Sequence, residues 1–169
     1  MRAFLESISY KEKYVWVELL TNVFATVYYL VNVLKVPGGF YSGDPVIAKI
    51  VVEVIVLSIV LSILIYILLS IFSGPKVQAD ISDERDLRIA ANGNTIAYGV
   101  LGFCVVMMIG HIVISYTFPQ SFFGRAHGLD ESIYAGLRPM FFIHLLFLSL
   151  IISSMAKSLT QLFRYRRGY

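Results

Sequence analysis

Residues 45–73 read PVIAKIVVEVIVLSIVLSILIYILLSIFS. A helix tolerates the leading proline in its first turn, and no charged residue follows Glu53 within the stretch. A helix needs about 20 mostly apolar residues to cross the hydrocarbon core of a bilayer. The stretch therefore predicts a transmembrane helix, and with it an integral membrane protein.

Three further apolar runs have the same character. The first of them ends at PGGFYSGDP, residues 37–45, because proline and glycine interrupt a helix. The third helix is expected to start with a polar cytoplasmic lead-in. Together the runs predict an all-α integral membrane protein, a four-transmembrane-helix bundle that forms one domain over residues 1–169. The predicted helices cover about 14–36, 45–73, 83–118 and 132–163.

Composition supports this class. Hydrophobic residues make up 57% of the chain and charged residues 15%, with a mean hydropathy of +0.74, whereas soluble domains carry about 25% charged residues. The single cysteine, Cys104, excludes an intrachain disulfide and a CxxC redox pair. The opening MRAFLESISYKEKY lacks the apolar core of a signal peptide, so the first helix is expected to stay in the mature protein.

Lysine and arginine residues indicate the orientation, because cytoplasmic loops of membrane proteins carry an excess of them. One side of the predicted bundle is richer in these residues, and we assign it to the cytoplasm together with both termini. We attribute the small net charge of +3 to membrane topology and not to a nucleic-acid-binding surface. The richer side holds Arg2, Lys11, Lys13, Lys76, Arg85, Arg88, Lys157, Arg164, Arg166 and Arg167, and the other holds Lys35, Lys49, Arg125 and Arg138.

A charge cluster, SDERDLRIAANGN at residues 82–94, leads into the third helix from the cytoplasmic side. Acidic residues in the first turn favour the positive end of the helix dipole. The fourth helix ends in arginines on the same side, so arginine–carboxylate pairs are predicted to lock helices three and four together. Alternatively, the arginines contact anionic lipid headgroups and the carboxylates are solvated. The residues of this charge lock are Asp83, Glu84, Asp86, Arg164, Arg166 and Arg167.

These charged motifs also carry a resemblance. The DERDLRI run, the AY at residues 97–98 and the terminal QLFRYRRG resemble an uncharacterised family of small bacterial and archaeal inner-membrane proteins with a DERD-type motif. The resemblance covers residues 81–168 best. It implies a four-helix protein of the cytoplasmic membrane and implies no activity. The matching residues are Asp83, Glu84, Arg85, Asp86, Ile89, Ala97, Tyr98, Gln161, Tyr165, Arg166, Arg167 and Gly168.

Ionisable residues within the predicted membrane helices need an explanation, because each costs several kcal/mol unless it is paired. Helix two carries Lys49 and Glu53, helix three His111 and helix four His144. Counted from the outer helix ends, Glu53, His111 and His144 all lie about 10–13 Å deep. They are predicted to form a polar layer in the outer half of the bundle, near Tyr28, for a ligand, an ion or a proton.

Sulfur-containing residues near His111 suggest an alternative. Thioether and thiol groups with imidazole suit copper, two imidazoles with a carboxylate suit iron or zinc, and two facing histidines can hold a haem. The alternative function is therefore a haem- or metal-binding membrane redox protein that uses His111 and His144, with Glu53, Met108 and Cys104 as further ligands.

A third interpretation needs no ligand. Membrane histidines often hydrogen-bond a neighbouring helix, and methionine stripes usually pack in cores. Lys49 is then a residue that reaches the outer interface while it pairs with Glu53. Glu18, close to the cytoplasmic end of helix one, is interpreted as an interfacial residue.

The sequence contains no HExxH, GxSxG, P-loop or CxxCH motif, which makes an enzyme the less favoured class. The leading hypothesis is a non-enzymatic inner-membrane sensor, accessory or channel-like protein, with a cytoplasmic protein partner as a further expectation. Serines four residues apart on helices two and four permit close helix contacts. Because four helices enclose little space, we expect a homo-oligomer.

Overall fold

The computed structural model describes residues 9–42, 44–73, 83–117 and 131–167, and the side chains of these residues except 41, 72–73, 112, 114–117 and 131–141. All regular structure in these ranges is helical. Four helices are long and apolar enough to cross a membrane, which confirms the predicted fold class at this level. They are α1 (Tyr10–Lys35), α2 (Val46–Ser73), α3 (Glu84–Thr117) and α4 (Glu131–Arg167), and a 3-10 turn covers Gly39–Tyr41.

Two helices extend beyond their apolar runs. The α1 helix begins at Tyr10, because the Ser9 side chain caps it by accepting a hydrogen bond from the Glu12 amide at 3.2 Å. The α4 helix continues to Arg167. The predicted helix bounds followed hydropathy alone, whereas the α-helical backbone continues through the polar turns at the helix ends. At the other end of α1 the chain turns at Gly38, whose φ of +85° suits glycine.

The helices pack in the order α2, α1, α4, α3. The α1 helix packs along both α2 and α4, and α4 packs along α3, whereas α2 and α4 touch in only a few places. The central pair is therefore α1 and α4. The main apolar core lies around this pair and is formed by Ala25, Tyr29, Val33, Ile50, Val54, Phe147 and Ile151.

The most apolar helix is one of the two least buried helices. The most apolar helix is α2, yet only 6% of its candidate span is buried, compared with 33% for α1 and for α4. In water, a continuous apolar surface of that kind would be a site of association. In a bilayer it is the surface that faces lipid. The central helices α1 and α4 are thus the most buried, and the most apolar helix lies at the periphery together with α3.

A glycine allows α3 to approach α4 closely. A Cβ added at Gly93 would lie 2.6 Å from Cγ of the buried Gln161. One turn further along α3, the Ala97 carbonyl oxygen accepts a hydrogen bond from Ser153 Oγ at 2.8 Å. Small residues at such a crossing let backbones approach, and this is a common basis of helix association in membranes.

Gly93→Ala is expected to lower the free energy of unfolding by about 1–3 kcal/mol, because Gln161 must move to admit the methyl group. The matched control is Gly99→Ala on the same helix, where an added Cβ meets nothing within 4 Å. The control should be neutral or gain up to about 1 kcal/mol from helix propensity. Unfolding in detergent micelles measures the stability of both variants. Equal stabilities of the two variants would contradict the close crossing of α3 and α4.

Candidate functional site

Polar side chains concentrate at the interface between α1 and α4, where they form two groups. The first, which we call the inner polar cluster, consists of Glu18, Asn22, Ser154 and Lys157. Glu18 lies about 12 Å from the start of α1, and Lys157 about 15 Å from the end of α4, at the helical rise per residue. Both charges thus lie well inside the candidate membrane spans Tyr10–Lys35 and Phe142–Arg167.

An ion pair holds the inner polar cluster together. Lys157 Nζ lies 2.8 Å from Glu18 Oε1, and the two side chains are only 30% and 26% exposed. Ser154 Oγ donates to the same carboxylate oxygen at 3.3 Å, and Asn22 Nδ2 donates to Ser154 Oγ at 2.8 Å. A continuous chain of hydrogen bonds therefore ends on one carboxylate.

Sequence reasoning missed this cluster. It treats Glu18 as interfacial and Lys157 as a topology signal, whereas the structure pairs the two side chains. A usable signal is present, because Glu18 and Asn22 are four residues apart and Ser154 and Lys157 three apart, so each pair shares a helix face. Depth counted from the helix ends that were predicted to be cytoplasmic would have brought the two pairs to similar levels.

The second group is the Tyr29–His144 centre, in the predicted outer half. His144 is 2% exposed, and its Nδ1 is hydrogen-bonded to the hydroxyl of the fully buried Tyr29. Phe40, from the turn after α1, lies edge-on to the imidazole with ring centroids 5.3 Å apart. Phe147 packs on Tyr29 at 4.7 Å between centroids. Aromatic rings thus enclose the only buried histidine among the described residues.

The second ring nitrogen of His144 distinguishes this centre from ordinary packing. His144 Nε2 is buried and has no hydrogen-bond partner among the described residues. A buried polar atom without a partner costs about 1–3 kcal/mol. Since a neutral imidazole has one donor and one acceptor nitrogen, Nε2 can offer either a proton or a lone pair, and a small ligand, ion or proton would meet the protein there.

The other residues of the predicted layer lie elsewhere. Glu53 is exposed on α2 and is 3.8 Å from Lys49 Nζ on the same helix, so these two form a weak surface pair. His111 is half-buried on α3. Tyr28 is half-buried, and its ring stacks on Phe24.

The proposed metal ligands do not form a cluster. Cys104 and Met108 are half-buried on α3. Among the described residues, no group of three His, Cys, Asp or Glu side chains is placed to hold a metal ion. The donor set of Glu53, His111, His144 and Cys104 therefore does not fit a three-ligand site.

The charged ends of the helices connect differently from the predicted lock. Asp86 Oδ2 on α3 lies 3.0 Å from Lys11 Nζ on α1, and its Oδ1 accepts from the Tyr165 hydroxyl of α4 at 3.1 Å. Arg166 Nε lies 3.0 Å from Oε1 of the nearly buried Glu12, as an ionic contact and not an aligned hydrogen bond. Both ion pairs therefore run to α1, which the prediction did not include.

The other four residues of the predicted lock have different surroundings. Glu84 lies 3.8 Å from Arg88 on its own helix, and Asp83 is exposed. The Arg167 guanidinium lies over the Phe163 ring, 4.3 Å from its centroid, and Arg164 is half-buried. Of the six residues, Asp86 and Arg166 are the two for which the structure shows ion pairs that tie helices together.

No family model, curated protein or solved structure matches this chain. The resemblance to the DERD-type family therefore stays a prediction, and the residues themselves carry the functional argument.

Lys157→Met is expected to lower the free energy of unfolding by about 3 kcal/mol, because it leaves the Glu18 carboxylate unpaired in apolar surroundings. Combining it with Glu18→Gln should recover at least about 1 kcal/mol, which a double-mutant cycle in detergent micelles measures. Lys49→Met, at the exposed pair on α2, is the control and should change stability by less than about 1 kcal/mol. Strictly additive effects of the two inner substitutions would contradict the pairing.

Asp86→Asn is expected to cost about 1–2 kcal/mol of stability, because it removes a charge-assisted contact with Lys11. Glu84→Gln, in the same helical turn, removes a carboxylate with an exposed partner and should stay within about 0.5 kcal/mol of the parent. Salt should shrink the Asp86 effect. Equal losses in the two variants, measured by thermal unfolding, would show that Asp86 does not hold α3 to α1.

Proposed function

We propose that this chain is a multi-pass protein of a bacterial or archaeal cytoplasmic membrane, with a non-enzymatic role as a small sensor or accessory protein. The exposed apolar surface of α2 supports the membrane location, because lipid is the solvent in which such a surface is favourable. The excess of lysine and arginine at the Tyr10 and Arg167 ends supports cytoplasmic termini. Of the residues in that argument, Arg2, Lys76 and Arg125 lie outside the described residues, as does the Arg138 side chain.

The Tyr29–His144 centre is the proposed sensing site. The observation that carries this proposal is the buried Nε2 of His144, which lacks a described partner while Nδ1 contacts Tyr29. Imidazole is the side chain whose ordinary titration lies near neutral pH. A proton, ion or small ligand that engages Nε2 would change the contact with Tyr29 and thereby the packing of α1 on α4.

The inner charged ends complete the proposal. Arg88 and Arg167 are exposed beside the ion-paired Asp86 and Arg166, so this surface presents cations for a lipid headgroup or a cytoplasmic protein. A channel-like role would require a homo-oligomer, because the four described helices pack in a row and do not enclose a path. The haem- or metal-binding alternative has weaker support, since His144 lacks the further clustered donors that a three-ligand metal site needs.

Histidine-selective ¹⁵N NMR on the protein in lipid nanodiscs tests this function. His144→Gln assigns the His144 signals, and His111→Gln is the matched control. We expect the His144 signals to change on acidification, or on addition of sodium, potassium, zinc or copper salts. Tyr29→Phe should shift that transition, because it removes the described partner of Nδ1.

A His144 ring that keeps one tautomer under every condition would contradict the proposal and leave the histidine as a structural contact. Metal content measured by mass spectrometry on the same samples separates the alternative. Near-stoichiometric iron or copper that disappears in both histidine variants would favour the redox protein over the sensor.

A further inference from the structure

A groove runs along the side of the molecule between α2 and α4, with α1 as its floor. Its volume is about 220 Å³. The α2 and α4 walls include Ile55, Leu150 and Ile151, and the polar atoms inside it come from Asn22, Ser58 and Ser154. Neither Tyr29 nor His144 lines the groove, whereas Phe147 lines it and also packs on Tyr29.

The groove is an open depression and not an enclosed cavity. It exists because α2 and α4 both pack on α1 but touch each other in only a few places. Its rim residues Ile55 and Leu150 are 44% and 59% exposed, with aliphatic side chains directed outward. In the proposed membrane location, hydrocarbon chains surround this opening, so a molecule would enter from the apolar layer.

The polar groups lie near the middle of the bundle. Asn22 is about 18 Å from the start of α1 and about 20 Å from its end. One of its amide N–H groups donates to Ser154 Oγ, which leaves a second N–H and the amide oxygen as hydrogen-bonding groups. Ser58 donates to the Val54 carbonyl and keeps its hydroxyl oxygen as an acceptor.

Depth and size restrict the ligand. A charged headgroup is strongly unfavourable at the bilayer centre, which excludes a phospholipid headgroup at Asn22. A volume of about 220 Å³ is below the roughly 300–1,000 Å³ of sites that enclose a whole drug-sized ligand. The groove therefore suits one end of a linear molecule whose remainder stays in lipid.

We infer that the groove binds an uncharged amphiphile, a hydrocarbon chain with a terminal hydroxyl or carbonyl group, and that the oxygen of this group hydrogen-bonds to the side-chain amide of Asn22. The inference rests on the proposed membrane location and not on the Tyr29–His144 centre. A second copy of the chain is a less suitable occupant, because an apolar helix surface would leave the polar groups of Asn22 unused.

Photolabelling of the full chain in nanodiscs tests the inference. The probes are a hexadecanol with a diazirine near its hydroxyl group, the matching hexadecane without the hydroxyl, and a phosphatidylcholine with a diazirine in its acyl chain. Peptide mapping by mass spectrometry locates the labels. We expect the alcohol to label the groove residues of α2 and α4 at least threefold more than the hexadecane probe does.

Two pairs of matched variants sharpen the test. Asn22→Leu should reduce labelling by the alcohol about three- to tenfold, the loss expected for one hydrogen bond, whereas Asn32→Leu on the same helix should not. Ser58→Leu fills the groove and should also reduce labelling, whereas Ser62→Leu, one turn along α2 and outside the groove lining, should not. The second pair leaves the Asn22–Ser154 hydrogen bond intact, so it remains informative if Asn22→Leu fails to fold.

Equal labelling of the groove by the alcohol and the hexadecane probe would overturn the inference. So would preferential labelling there by the phospholipid, or crosslinks between chains at Ser58 that exclude the alcohol. His144→Gln should keep full labelling, so a failure of the proposed sensing site and a failure of this groove give different results.

Discussion

Polar contact between α1 and α4 is the interaction on which the rest of the structure depends. In hydrocarbon, an apolar side chain gains little from exchanging a lipid neighbour for a helix, so helix pairing depends on close packing and hydrogen bonds. The pair of Glu18 with Lys157 at one level and of Tyr29 with His144 at another supplies such contacts at two heights. Two contacts separated along the axis fix both the register and the rotation of α1 against α4, and α2 and α3 then add to opposite sides of this pair.

The peripheral helices are held by different means. The α3 helix approaches α4 at Gly93, which has no side chain, and its N-terminal end is tied to α1 through Asp86 and Lys11. In its most apolar part, the described α2 helix has neither a close glycine contact nor an ion pair to another helix. It packs on α1 mainly through aliphatic side chains such as Val54, and this is why a groove can persist between α2 and α4. Ser58 lines this groove, but its hydroxyl donates to the Val54 carbonyl of its own helix, so it does not tie α2 to α4.

The fold could largely be predicted from the sequence, because helix length and hydropathy are local properties. Neighbours could not be predicted, because depth along a helix says nothing about the direction in which a side chain points. Glu53 and His144 were expected in one layer on the basis of depth, yet His144 is buried between α1 and α4 while Glu53 lies exposed on α2. Glu18 shows the converse. Its position along α1 suggested an interfacial residue, whereas the packing of α4 on α1 places Lys157 beside it.

The two polar groups of the α1–α4 interface differ in access, and this difference suggests different roles. Aromatic rings enclose the Tyr29–His144 centre, so only a proton, an ion or a very small molecule can reach it. Asn22 borders the open groove, and its hydrogen bond to Ser154 continues to the carboxylate of Glu18. A molecule that hydrogen-bonds to the second N–H or to the oxygen of the Asn22 amide polarises that amide, and the hydrogen bond to Ser154 carries the effect to the same carboxylate that holds Lys157. The proposed occupation of the groove would therefore be coupled through two hydrogen bonds to the ion pair that aligns the two central helices.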